Sequence, residues 1–276
     1  MLQVSTGAVV ALGFVLVVCY LLPIALFYVM YRFSDSKFKT FGVGVMAYFT
    51  ARFAVEMPIG IIISHFTHLS ENTPVYAVYL FLLCPLIFVG INFAALKIFG
   101  KDILSTGNSL MYATGYVTLQ NIVEVGFVGA WYFITLLGIR SVGSYLVVSD
   151  ADYASASDVV SASNLVSESI YSEMQELCSL SASYFTSMCL ERLWIIAAYS
   201  AMLLVIWLAV RKRGALPLLG VAFGMRLLAS VPTFLSDMNV ISSKWASVVI
   251  IVAILIIICA AAVLCWRKFI DEEDRG

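Results

Sequence analysis

Residues 245–266 read WASVVIIVAILIIICAAAVLCW, an unbroken apolar run between Lys244 and Arg267. A helix rises about 1.5 Å per residue, so a run of about 20 residues covers the roughly 30 Å hydrocarbon layer of a bilayer. Working back from this stretch, the same pattern recurs over approximately 7–31, 41–64, 74–99, 109–139, 186–210 and 216–235. The expected fold class is therefore all-α: a polytopic membrane helix bundle of seven transmembrane helices. Residues 1–276 form a single transmembrane domain in this reading. The fourth run exceeds what a bilayer needs, so that helix should tilt, kink or project.

Composition agrees. The chain is 62% apolar and 12% charged, with mean hydropathy +0.99, whereas soluble domains carry about a quarter charged residues. A water-facing surface could not be built from this set. The net charge of −1 says nothing about nucleic acid, but the lack of a basic stripe interleaved with aromatics argues against such a partner. The first basic residue is Arg32, so the apolar N-terminal run lacks the basic region of a cleavable signal and is expected to stay as a helix.

Basic residues set the expected orientation. With the N-terminus outside, the inner segments hold Arg32, Lys37, Lys39, Lys97, Lys101, Arg211, Lys212, Arg213, Arg267, Lys268 and Arg275. The outer segments hold only Arg140 and Lys244, which gives N-out/C-in. The longest connection, residues 140–185, is then an extracytoplasmic loop rich in serine and acid. Its stretch 158–177 carries a loosely periodic set (Val159, Leu165, Val166, Ile170, Leu177) open to either a surface helix or disorder. Cys178 and Cys189 flank its end, where a disulfide is open to them.

Ionisable groups inside spans are costly and normally face the bundle interior with a partner. Arg52 and Glu56 are four apart in the second span, as a self-neutralising structural pair or a site. Tyr112, Tyr116, Gln120 and Glu124 form an i, i+4 ladder in the fourth, which must face protein or water. Helix–helix hydrogen bonding explains it as well as chemistry does. Glu191 and Arg192 open the fifth span side by side, so each is expected to find a partner on another helix; Arg226 lies mid-span in the sixth, with Asp237 and Glu124 as candidate partners. His65 and His68 lack a third ligand and are weak evidence for a metal.

The order of these features resembles the YhfC family of bacterial membrane proteins, which is grouped with intramembrane metalloproteases. Its distant relatives are the type II CAAX prenyl proteases and the Aph subunit of γ-secretase. The likeness covers nearly the whole chain; its best local matches are LMYATG at 110–115 and LERL at 190–193, with Arg211, Lys212, Arg213 and Pro232 at matching places. The family's catalytic signatures are not kept. Its third-span EETGRF corresponds to FVGINF at 88–93, putting Asn92 where the arginine stands. Its GHGGIE corresponds to GYVTLQ at 115–120, so Tyr116 replaces the histidine and Gln120 the glutamate. Its HxLxDxP corresponds to residues 226–232, with Arg226 for histidine and Ser230 for aspartate. Glu191 and Arg192 survive, and Glu124 stands one turn beyond its expected place.

A catalytic zinc wants about three ligands from histidine and carboxylate, plus a base. The resemblance thus implies a degenerate site with no catalytic residue, no metal ligand and no cofactor. Asn92, Tyr116, Gln120, Glu124, Glu191 and Arg226 are its candidate ligand-binding residues. The expected function is a catalytically inactive metalloprotease homologue, acting as a scaffold or binding protein in the bacterial cytoplasmic membrane. Besides the lipid bilayer, its expected partners are a transmembrane helix or a lipid ligand. An active protease with a rearranged site on Glu124 and Glu191 is one alternative. A solute transporter or channel subunit lined by Arg52, Glu56, Glu124 and Arg226 is another, for which Pro58, Gly60 and Pro85 hint at broken helices.

Overall fold

The computed structural model describes residues 4–34, 36–67, 73–99, 105–142, 146–148, 165–211, 215–238, 240 and 244–269. Seven helices are long and apolar enough to cross a membrane: Thr6–Phe33, Phe38–Phe66, Pro74–Phe99, Thr106–Ser141, Ala182–Arg211, Leu218–Asp237 and Ala246–Lys268, numbered here spans one to seven. The chain is a polytopic membrane protein by these helices' length and composition. Large apolar side chains point outward over much of the surface, among them Phe14, Ile61, Trp131, Ile134, Ile256 and Leu264. Such a surface is stable only where lipid replaces water.

Span five is the hub. In its most apolar window 61% is buried, against 17% for spans two and seven. It packs against spans one, three, four, six and seven, and its Met202, Ile206, Trp207 and Leu208 are sealed in the core. Span two lies on span four at backbone contact. A Cβ on Gly44 would strike the carbonyl of Tyr112, and one on Gly115 would strike the carbonyl of Phe41. Glycine at both positions lets the two helices approach this closely, as small residues do at membrane helix interfaces. At the same end of the pair, the Asn108 Oδ1 accepts from the Lys37 N–H (2.8 Å) and the Thr40 hydroxyl (3.1 Å), joining the start of span two to that of span four.

The long helices are locally widened at four π-helical segments among the described residues: Val17–Leu21, Thr50–Glu56, Tyr79–Leu83 and Ile122–Gly126. The first three each end two residues before a proline, namely Pro23, Pro58 and Pro85. Proline has no N–H to give, and its ring crowds the carbonyl four residues back; the preceding turn widens in response. The fourth segment has no proline and lies within the over-long fourth span, whose predicted excess is realised as a 36-residue helix.

In the 140–185 connection, Leu146–Val148 and Leu165–Ser167 pair as a parallel two-stranded ladder. It is the sole strand pairing among the described residues. Of the two readings open for 158–177, the described part forms a helix, Glu168–Ser179, capped where the Ser167 hydroxyl accepts from the Ile170 N–H at 3.3 Å. It begins later than the periodicity suggests because Leu165 and Val166 join the strand. Cys178 and Cys189 are free thiols and form no disulfide. Both pack at the edge of an apolar cluster of spans one and five. His68, Asp150, Asp152, Asp158 and the acidic tail at 271–274 lie outside the described residues.

Candidate functional site

Three of the four widened segments surround one cavity of about 550 Å³ between spans two to seven. Thr50–Glu56 brings Arg52 and Glu56 to its wall, Tyr79–Leu83 brings Tyr79, and Ile122–Gly126 brings Glu124. A π turn adds a residue per turn and re-aims the side chains on it, which is why such segments gather at functional sites. Spans five and six complete the wall with Glu191, Arg192, Trp194, Tyr199, Arg226 and Ser230. Tyr76, Ser236, Asp237 and Ser247 stand at the mouth. They lie at the ends of spans three, six and seven that share a face with the 140–185 connection. The Tyr76 hydroxyl donates to Asp237 Oδ2, latching span three to span six there.

The charges fall into one neutral pair, one group with a surplus carboxylate, and one residue apart. Arg52 Nη1 lies 2.6 Å from Glu56 Oε1, so the i, i+4 pair forms as the spacing requires. The Cys84 thiol donates to the same Glu56 oxygen at 3.6 Å. Arg192 holds two carboxylates: Nη1 is 3.1 Å from Glu124 Oε2 and Nη2 is 2.9 Å from Glu191 Oε1. The expectation that Glu191 and Arg192 would both look to other helices is thus corrected. The long guanidinium arm of Arg192 folds back to its neighbour while also reaching span four. Glu124 further accepts from the Gln120 amide (3.3 Å) and the Tyr48 hydroxyl (3.4 Å).

Arg226 pairs with neither candidate. Glu124 is held by Arg192 and Asp237 by Tyr76, and among the described residues no carboxylate lies within ion-pair distance of Arg226. Its Nη1 donates to the Ser230 hydroxyl at 2.8 Å. Its guanidinium carbon stands 5.2 Å from the Tyr199 ring centroid and 6.0 Å from that of Phe88. Its Nε is buried without an acceptor, as the Gln120 Oε1 is without a donor. Cation–π contact with two rings stabilises this half-buried guanidinium in part, but it leaves hydrogen-bond donors free.

Of the six candidate ligand-binding residues, Gln120, Glu124, Glu191 and Arg226 line the main cavity. Tyr116 lines a narrow inner chamber of about 60 Å³ that shares Arg226, Glu124 and Gln120 with it. There Tyr116 sits edge-on to Tyr48 (5.3 Å) and Phe88 (5.6 Å) and stacked with Tyr199 (6.1 Å). Asn92 is not part of the cavity lining. It is fully buried, accepts from the Tyr112 hydroxyl at 2.6 Å and donates to the Phe88 carbonyl at 2.7 Å. That is a structural tie between spans three and four. The i, i+4 ladder is therefore divided, Tyr112 serving packing and Gln120 and Glu124 the cavity.

Sequence reasoning missed Tyr48, Tyr76, Tyr79 and Tyr199 as part of this site. Pro85 was the available signal for Tyr79, whose widened turn ends two residues before it; nothing in the sequence marked Tyr48 or Tyr199.

Tyr116, Gln120, Glu124, Glu191 and Arg226 do not fit a catalytic metal. Tyr116 and Gln120 are weak ligands, Arg226 adds repulsion, and both carboxylates are bonded to one guanidinium. Among the described residues, no three His, Cys, Asp or Glu side chains stand close enough to hold one ion. Fold and site together define a seven-helix membrane protein enclosing a charged, aromatic-lined cavity. No protein-family model, no curated protein and no solved structure matches the chain.

Proposed function

We propose that this protein is a ligand-binding membrane protein of YhfC-like, metalloprotease-homologous architecture that does not cleave its ligand. It sits in the bacterial cytoplasmic membrane with its N-terminus outside and its C-terminus inside, so the cavity mouth faces the extracytoplasmic side. Its partners are the bilayer and a lipid or transmembrane helix, and it needs no cofactor. One observation carries the reading: Glu124 and Glu191, the carboxylates that an active site would require, both bind Arg192. A carboxylate engaged by a guanidinium is neither a free metal ligand nor a free general base. The volume and mixed lining of the cavity suit a small polar ligand.

The test is elemental analysis of purified protein together with cleavage of a panel of membrane peptides, with and without a chelator. Substoichiometric metal and no chelator-sensitive cleavage are expected. Stoichiometric zinc lost in Glu124→Gln, or cleavage abolished by the chelator, would overturn the reading.

A further inference from the structure

We propose that the cavity binds a zwitterion, an anionic oxygen group on Arg226 and an ammonium group on the half-exposed carboxylate of Glu191, and that the bilayer supplies it as an aminophospholipid headgroup. This rests on the cavity being a binding site. The argument begins with the distribution of charge. Arg52 and Glu56 cancel. Arg192 against Glu124 and Glu191 leaves one negative charge on spans four and five. Arg226 leaves one positive charge on span six, with a buried Nε and no carboxylate in reach among the described residues. Asp237, bonded by Tyr76, adds a further carboxylate; the rest of the wall sums to zero but is polarised, positive on span six and negative on spans four and five. Arg226 is half-buried with an Nε that has no acceptor, and a ligand that brings an oxyanion supplies the acceptor the protein does not. A plain anion would meet Arg226 but place its charge near the surplus carboxylate. A zwitterion answers both ends.

A second depression shows which source the structure favours. A groove of about 530 Å³ runs beside the cavity and shares Arg52 and Tyr79 with it, continuing along Met57, Gly60, Ile61, Ser64 and His65. It is wide open, and no side chain from Met57 to Phe66 is buried. The outer half of span two therefore stands away from the bundle, with Ile61 and Ile62 exposed. Arg52 is mid-span with 43% of its side chain exposed, and a charge so placed needs phosphate or water beside it. The groove is an open side channel of mixed lining, with Met57 and Ile61 on its apolar part, leading to a polar chamber with a guanidinium at the junction. Acyl chains fit the first and a headgroup the second.

The experiment titrates delipidated protein in detergent with short-chain phosphatidylethanolamine, short-chain phosphatidylglycerol and chain-free glycerophosphoethanolamine, reading binding by native mass spectrometry. Phosphatidylethanolamine is expected to bind at least about tenfold more tightly than phosphatidylglycerol. Arg226→Gln should weaken it by a similar factor. Glu191→Gln, at a half-exposed position, should fold normally and erase the preference over phosphatidylglycerol while leaving binding. Chain-free headgroup binding as tightly as the lipid would keep the zwitterion and move its source to a free solute. Equal binding of phosphatidylglycerol and phosphatidylethanolamine, or indifference to both substitutions, would overturn the proposal. Metal content and peptide cleavage are read separately, so failure of the binding-protein reading is distinguishable from failure of this one.

Discussion

Arg192 Nη1 meets Glu124 Oε2 at 3.1 Å across 68 residues of sequence, fastening span five to span four at the cavity wall. The arginine side chain is 8% exposed and the glutamate 27%, so the pair is neither a surface ornament nor fully dry. Removing one partner of a buried pair costs about 3–5 kcal/mol because the other charge is left uncompensated. Here the wet cavity and the donors Tyr48 and Gln120 soften that loss. Arg192→Gln should therefore destabilise by about 2 kcal/mol. Glu124→Gln in the same chain should recover most of it, read by thermal unfolding in a fixed detergent. Strictly additive effects would show that the two residues are not coupled.

The contact of spans two and four predicts a sharp size limit. Gly115→Val must displace the Phe41 carbonyl, and Gly44→Val the Tyr112 carbonyl. Backbone cannot yield as a flexible side chain can, so each should cost about 3 kcal/mol or more and lower the amount of folded protein. Gly90→Ala is the control, since nothing lies within 4 Å of its added Cβ. Size-exclusion profiles and melting in detergent would compare the three. A melting point for Gly115→Val equal to that of Gly90→Ala would refute the close approach.

Cys178 lies outside the spans in the helix Glu168–Ser179, and burial pushes its thiol above the usual value. Only the thiolate attacks a maleimide. Its labelling should need no prior reduction, because the thiol is free. At neutral pH it should be slower than for an exposed cysteine, and it should keep rising as pH climbs past the ordinary thiol range. A requirement for reductant would mean that Cys178 is bridged to Cys189 after all.

The seven spans were legible because lipid imposes a length and an apolarity on every crossing helix, as the 245–266 run shows by itself. The Arg52–Glu56 pair was legible for a similar reason: four residues on a helix fix the geometry. The choice of Arg192 as the shared partner of Glu124 and Glu191 was not, since sequence spacing gives no register between helices. Nor was the fate of Asn92, whose polar side chain looked available for a ligand but closes on Tyr112. Helical periodicity assumes 3.6 residues per turn, and the cavity is built where three helices depart from it.

The proposed orientation rests on lysine and arginine placement and has a direct readout. A fluorescent protein fused after residue 276 should mature in the cytoplasm. Alkaline phosphatase inserted near residue 155 should be active, as that enzyme folds only outside. The reverse pattern would put the basic segments outside and turn the cavity mouth towards the cytoplasm, removing the extracytoplasmic part of the proposed function without altering the bundle.

Pro85 offers a test of whether the widened turns build the cavity. The segment Tyr79–Leu83 ends two residues before it, and Pro85→Ala restores an N–H that can close a regular α-helical turn. Losing the extra residue would rotate the upstream half of span three by about 100° relative to the rest, one residue's step on a helix. Tyr79 would then leave the cavity wall for lipid, and Tyr76 would lose its bond to Asp237. A cysteine at Tyr79 should react with a charged, membrane-impermeant thiol reagent in the Pro85 chain, because the cavity is wet. The same cysteine should be protected in the Pro85→Ala chain. Equal labelling in both would mean that packing against span six, and not the proline, holds the turn open.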